Sequence, residues 1–202
     1  RQLKARDDTR FLCAAGVLAH YVGDACQPLH GSYHADGYRD APGATSKTWP
    51  GKGVHSTYED KMVDRHSTEL LPKIAPQAKR FEGAIPAISN GRDAAFATVT
   101  LMAQAADMLP PSKLIDEYIR LGGGSSAKVV DGLWNAFGDD TARLMGAGAR
   151  YLAAIWEAAF EKADTSLPSG ARVIPEAELA KVYQNKEFVP SVTLDKIAPL
   201  LE

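Results

Sequence analysis

Histidine is missing from residues 67–202 of this 202-residue chain; all five histidines lie between positions 20 and 66. Cysteine is scarce as well, with Cys13 and Cys26 alone. Two cysteines cannot build a disulfide scaffold. If residues 10–24 form one helix, the pair sits roughly 20 Å apart at about 1.5 Å per residue, too far to bridge each other. Cysteine usage therefore does not decide the redox compartment. No charge of one sign dominates: Lys and Arg number 23, Asp and Glu 25, and the formal net charge is −2. That balance excludes a generic cationic nucleic-acid coat. If the chain handles phosphates, positive charge must come from something other than a basic surface. No apolar run reaches membrane-spanning length, since the longest, Phe11 to Val22, already contains His20. Arg1, Lys4 and Arg6 ahead of that run imitate a signal peptide, but Asp7, Asp8 and the absence of a starting Met argue against one.

What is present is enough apolar material for a packed core. Hydrophobic residues make up 45% and charged residues 24%, which excludes wholesale disorder. Apolar residues surround positions 9–24, so a largely buried helix is expected there, stopping before Pro28. Residues 30–54 read as loop, punctuated by Gly31, Gly37, Pro42, Gly43, Pro50, Gly51 and Gly53. A second helix is expected from His55 to about Leu71, then a stretch broken by Pro72, Pro76 and Pro86. Helical spacing returns over 92–109, and Pro111 opens a further helix that ends at Gly122-Gly123-Gly124. The last strong helix is expected from Asp140, as N-cap, to about Ala163, with Gly146 and Gly148 permitting close helix approach. Trp134, Phe137, Tyr151 and Trp156 read as core. No strand alternation and no internal repeat are found. The expected fold is all-α, with one domain over 1–167 and a C-terminal extension, 168–202, packing on its surface.

The histidines carry the chemical signal. His20 and Asp24 are four residues apart on the first helix, and His55 and Glu59 repeat that spacing on the second, so each pair shares one helix face. His30 lies just past the end of the first helix, between the pairs. Taken singly, each pair is ordinarily a hydrogen bond or an ion pair. Together, two helices each offering an imidazole and a carboxylate suit zinc, whose borderline character accepts both. His30, His55 and Glu59 make three protein ligands, the number a catalytic zinc uses with a fourth position left open. His20 and Asp24 supply half of a second site.

The run His20-Tyr-Val-Gly-Asp24-Ala-Cys-Gln27-Pro28-Leu-His30 resembles the signature of the zinc-dependent phospholipase C and S1/P1 nuclease superfamily. Gly53-Val-His55-Ser-Thr-Tyr58-Glu59-Asp-Lys-Met-Val-Asp64 resembles the ligand helix that follows, and is closer to the phospholipase C branch because Glu stands where the nucleases usually carry Asp. The resemblance implies a multi-helix domain with up to three zinc ions, one of them fully liganded within this chain. His20 and Asp24 would bind one ion of a close pair, Asp24 would reach the third, and His30, His55 and Glu59 would bind the other. It further implies hydrolysis of a phosphodiester, in a phospholipid or single-stranded nucleic acid, by zinc-activated water, in a secreted or periplasmic enzyme. The superfamily's remaining ligands and its general base would lie upstream of Arg1, so the expected domain lacks its N-terminal portion here.

Gln27 is expected to orient a ligand from behind. His34 and Asp36, with Tyr38 and Trp49, either line a cleft or serve ordinary turn chemistry. His66 reads as a helix-end cation. Two alternatives stand beside the enzyme: a non-catalytic helical module stapled by a structural metal, and a His-Asp-dipeptide metal phosphohydrolase. The chain contains no His-Asp dipeptide, which counts against the latter.

Overall fold

The structure, a computed structural model, describes residues 3–5, 7–81, 83–164 and 173–188. Among these residues there is no strand. The all-α expectation holds. The helices are α1 (Asp8–Ala25), α2 (Val54–Ser56), a π-helical turn (Thr57–Met62), α3 (Val63–Arg65), α4 (Ser67–Arg80), α5 (Gly91–Met108), α6 (Pro111–Arg120), α7 (Ala127–Ala163) and α8 (Glu176–Gln184). The chain divides into two compact units. One comprises 1–22, 84–98 and 151–202; the other comprises 23–83 and 99–150.

The second unit holds one apolar core. Leu29, Val54, Tyr58, Met62 and Leu70 pack there with Leu109, Leu114, Ile115, Tyr118 and Leu133. Val54, Tyr58 and Met62 recur every four residues, which turns one face of the α2–π–α3 segment inward and leaves His55 and Glu59 on the neighbouring face. At Gly146 a Cβ would meet the Ala78 nitrogen at 2.8 Å, so α7 crosses α4 almost backbone to backbone. The expected role of Gly146 is borne out.

Three expectations need correction. The helix from His55 does not run unbroken to Leu71: its middle is a π turn, and it ends at His66, where φ is −108° and ψ 17°. Pro72 and Pro76 do not break the chain but lie inside α4. They are one turn apart on a solvent-facing side, so the Thr68 and Pro72 carbonyls they leave without N–H partners face water, while Leu70 anchors the buried side. Asp140 is not an N-cap, because α7 starts at Ala127. The buried residues Val129, Val130, Leu133 and Trp134 carry the helix through Gly132 and Gly138, while Asp140 pairs with Arg143 at 3.1 Å.

In the other unit, Phe11 meets Phe160 edge-on with ring centroids 5.5 Å apart. Tyr151 is fully buried and its hydroxyl donates to the Ala84 carbonyl at 3.2 Å. Tyr183 of α8 donates to the Cys13 carbonyl at 3.2 Å. Of the expected C-terminal extension, residues 168–172 and 189–202 lie outside the described residues.

Candidate metal centre

The corner after α1 brings in His30, the first of the candidate ligands. Cys26 N–H donates to the Gly23 carbonyl, Gln27 N–H to Asp24, and His30 N–H to Gln27, at 3.0–3.1 Å, so the helix winds down through successive tight turns. Pro28 has no N–H with which to continue it. Leu29 is fully buried and pins the corner, leaving the His30 side chain partly exposed.

The loop over 31–53 places His55, the second candidate ligand. Gly37 has φ +96°, and a Cβ there would sit 2.5 Å from the Pro50 carbonyl oxygen, so only glycine lets the two arms of this loop close. The closed loop sets Asp36 against the start of α2. Its Oδ1 accepts the Gly53 N–H at 2.8 Å and the His55 N–H at 3.3 Å. Those N–H groups lack intrahelical partners, and a carboxylate there also meets the positive end of the helix. The Ala35 carbonyl lies 3.0 Å from His55 Nδ1. Asp36 therefore positions the ligand helix.

Glu59 lies in the π turn, and its Oε2 is the focus of the group. His55 Nε2 is 2.8 Å away, His30 Nε2 3.1 Å, and Gln27 Nε2 donates to it at 3.0 Å. The ligand atoms of His30, His55 and Glu59 all lie within 4.8 Å of one another. The side chains are 27–36% exposed, so solvent reaches them. Burial pushes the Glu59 carboxyl up, but hydrogen bonds from Gln27 and His30 and the charges of His30 and His55 outweigh it and hold the group below its ordinary value.

The donor chemistry fits a divalent cation. With Nδ1 facing a carbonyl, a neutral His55 must donate there, which leaves a lone pair on Nε2. That lone pair faces a carboxylate oxygen at 2.8 Å. Two acceptors so close need a proton or a metal ion between them. One shared ion serves both imidazoles, whereas separate protons would set two imidazolium rings 4.8 Å apart, centroid to centroid. Two imidazoles and a carboxylate are a zinc-type donor set. A divalent ion held there would supply a Lewis acid. Cys26 is not one of the converging groups: it is buried, its thiol donates to the Gly23 carbonyl at 3.0 Å, and burial pushes that thiol up to about 11.

The remaining expected residues fall as follows. Asp24 Oδ2 is 4.0 Å from His30 Nδ1, at the edge of the group. His20 is exposed in the other unit and is not one of the converging three. His34 packs edge-on against Tyr33 and Tyr38, with Nδ1 3.6 Å from Asp40. Trp49 Nε1 donates to the Asp36 carbonyl at 2.6 Å. His66 sits at a helix end between Glu69 and Asp131, each 3.0 Å from a ring nitrogen, and stacks on Trp134. Sequence reasoning missed the Ala35 carbonyl and the π turn. The Asp36-Gly37 pair, a common turn signature, could have pointed to the first.

No protein-family profile matches the chain, and no solved structure matches it. Over 206 aligned residues, 95% of this chain, it is 39% identical to a probable serine protease of Bradyrhizobium tropiciagri. The chain spans about a quarter, 26%, of that protein's length. This likeness overturns the expectation of a zinc-dependent phosphodiester hydrolase, whether phospholipase C or nuclease. A relative this similar is named for a chemistry that uses a side-chain hydroxyl rather than metal-activated water against a phosphodiester.

Proposed function

We propose that this chain is a helical, divalent-metal-binding segment of a longer hydrolytic protein, with His30, His55 and Glu59 as protein ligands and zinc as the preferred ion. The observation that carries this reading is the convergence of their three ligand atoms within 4.8 Å. The likeness to a probable serine protease supports the hydrolytic part. The ion works beside the serine chemistry rather than within it. In support, the rings of His30, His55 and His66 meet carboxylates or a carbonyl, and Ser32 Oγ accepts the backbone N–H of His34, not a ring proton. The resemblance of residues 20–30 and 53–64 to a zinc superfamily's ligand segments supports the scaffold and the ligand set. Export to the periplasm or medium belongs to the same proposal and rests on that resemblance.

The test is metal content after dialysis against zinc, read by inductively coupled plasma mass spectrometry. The expected result is a single ion per chain, lost in His55→Ala. Full metal content in that variant, or none in the wild type, would sink the assignment.

A further inference from the structure

The unit made of residues 1–22, 84–98 and 151–202 contains a groove of about 660 Å³ that takes no residue from the candidate metal centre. Small-molecule sites span about 300–1,000 Å³. Three helices build the groove. On α1, Phe11, Ala14, Ala15 and Leu18 stand at i, i+3, i+4 and i+7, a single helix face. On α7, Ile155, Ala159 and Lys162 follow the same spacing. The first turn of α5 adds Gly91 and Ala94. Alanine keeps the space open. Where a close-packed core would set large side chains between helices, the methyl groups of Ala14, Ala15, Ala94 and Ala159 leave the gap unfilled.

The charge of this groove has one sign. Among the described residues that line it, the charged ones are Lys4 and Lys162, and none is Asp or Glu. Lys162 lies in the last turn of α7, and its Nζ donates to the Ser89 carbonyl at 3.0 Å, which holds the ammonium beside the start of α5. An ammonium has three donors, so others remain for an anion. Asp93, the acid in the first turn of α5, is already engaged by the Ser89 N–H at 2.9 Å and the Ser89 hydroxyl at 2.5 Å. An apolar body thus fits the stripe, and a negative head fits the Lys162 end. A positive head on the same body would meet like charge there.

We propose that this groove binds a medium-chain fatty acid, with its alkyl chain along α1 and α7 and its carboxylate at Lys162. The α1 face from Phe11 to Leu18 runs about 10 Å at about 1.5 Å per residue, which sets the length of chain it can cover. The inference does not depend on the metal-binding reading.

The purified chain is titrated with fatty acids from hexanoate to dodecanoate, below their micellar concentrations. Binding is read by calorimetry and by the fluorescence of Trp156, which lines the groove. Affinity is expected to rise about fourfold per methylene while the chain fits, and to level off once it outgrows the groove. Decanoate should bind about tenfold more tightly than decyltrimethylammonium, which has the same chain and the opposite head. In Lys162→Gln, decanoate should weaken by about two- to fivefold and decanol should not. In Ala159→Trp the groove is filled, and decanoate and decanol should both be lost. Both positions are exposed, so the thermal midpoint should hold in either variant. Equal affinity for the decyl anion and cation would overturn the inference, as would decanoate affinity unmoved in Lys162→Gln or in Ala159→Trp. So would the absence of saturable binding, the result expected if a second copy or residues of this chain outside the described ones fill the groove.

Discussion

Replacing Thr141 by Val should cost more stability than replacing Tyr58 by Phe, although both remove the same hydrogen bond. Tyr58 is buried in the π turn, and its hydroxyl lies 2.9 Å from Thr141 Oγ1. Thr141 donates its own proton to the Phe137 carbonyl at 2.8 Å. Tyr58 is therefore the donor of the shared bond, and burial pushes its pKa far up and keeps the proton in place. In Tyr58→Phe one neutral hydrogen bond is lost, but Thr141 keeps its own donation satisfied. The expected cost is about 0.5–1.5 kcal/mol. In Thr141→Val the shape is retained while the Tyr58 hydroxyl is stranded in the core. The expected cost is about 1–3 kcal/mol. The double variant removes both partners, so its cost should fall short of the sum by about 1 kcal/mol. Urea unfolding followed by tryptophan fluorescence measures all three, provided the slopes match. A larger loss in Tyr58→Phe than in Thr141→Val, or strict additivity, would refute the assignment of donor and acceptor.

Gly146→Val should destabilise by about 1–3 kcal/mol, because a Cβ there meets backbone at 2.8 Å and α7 must part from α4. Gly23→Ala is the opposite case: a Cβ there meets nothing within 4 Å, so replacing a glycine of α1 should stabilise by up to about 1 kcal/mol, both read by thermal unfolding. The Asp131 carboxyl is held below its usual range, chiefly by the hydrogen bond from Arg65, which outweighs desolvation, with His66 adding a smaller lowering. A depressed carboxyl contributes stability that is complete above its unfolded pKa, about 3.9, and is lost as pH falls through the lower folded value. The midpoint difference between wild type and Asp131→Asn should therefore be constant from about pH 5 to 7 and close at lower pH; a gap that persists at pH 2 would contradict it.

The convergence of His30, His55 and Glu59 was legible because their geometry is local. His55 and Glu59 share a helix face by spacing alone, and Pro28 announces the corner that aims His30. What escaped notice depends on tertiary contacts. Pro72 and Pro76 suggest a broken chain until burial of Leu70 on one side and hydration on the other are known. Asp140 looks like a helix start until α7 is seen to continue through it, held by Trp134 and Leu133. The substrate class was misjudged for a different reason: ligand spacing speaks to the cation, not to what is cleaved near it.

The π turn over Thr57–Met62 has one more consequence. It houses a surplus residue inside a rod whose two ends are seated by Val54 and Met62. Such a bulge uncouples rotary phase from length. Excising the surplus residue would let the coil return to ordinary winding while Val54 and Met62 stay seated in phase. A change of length by one residue in this short window can therefore be absorbed between two fixed anchors.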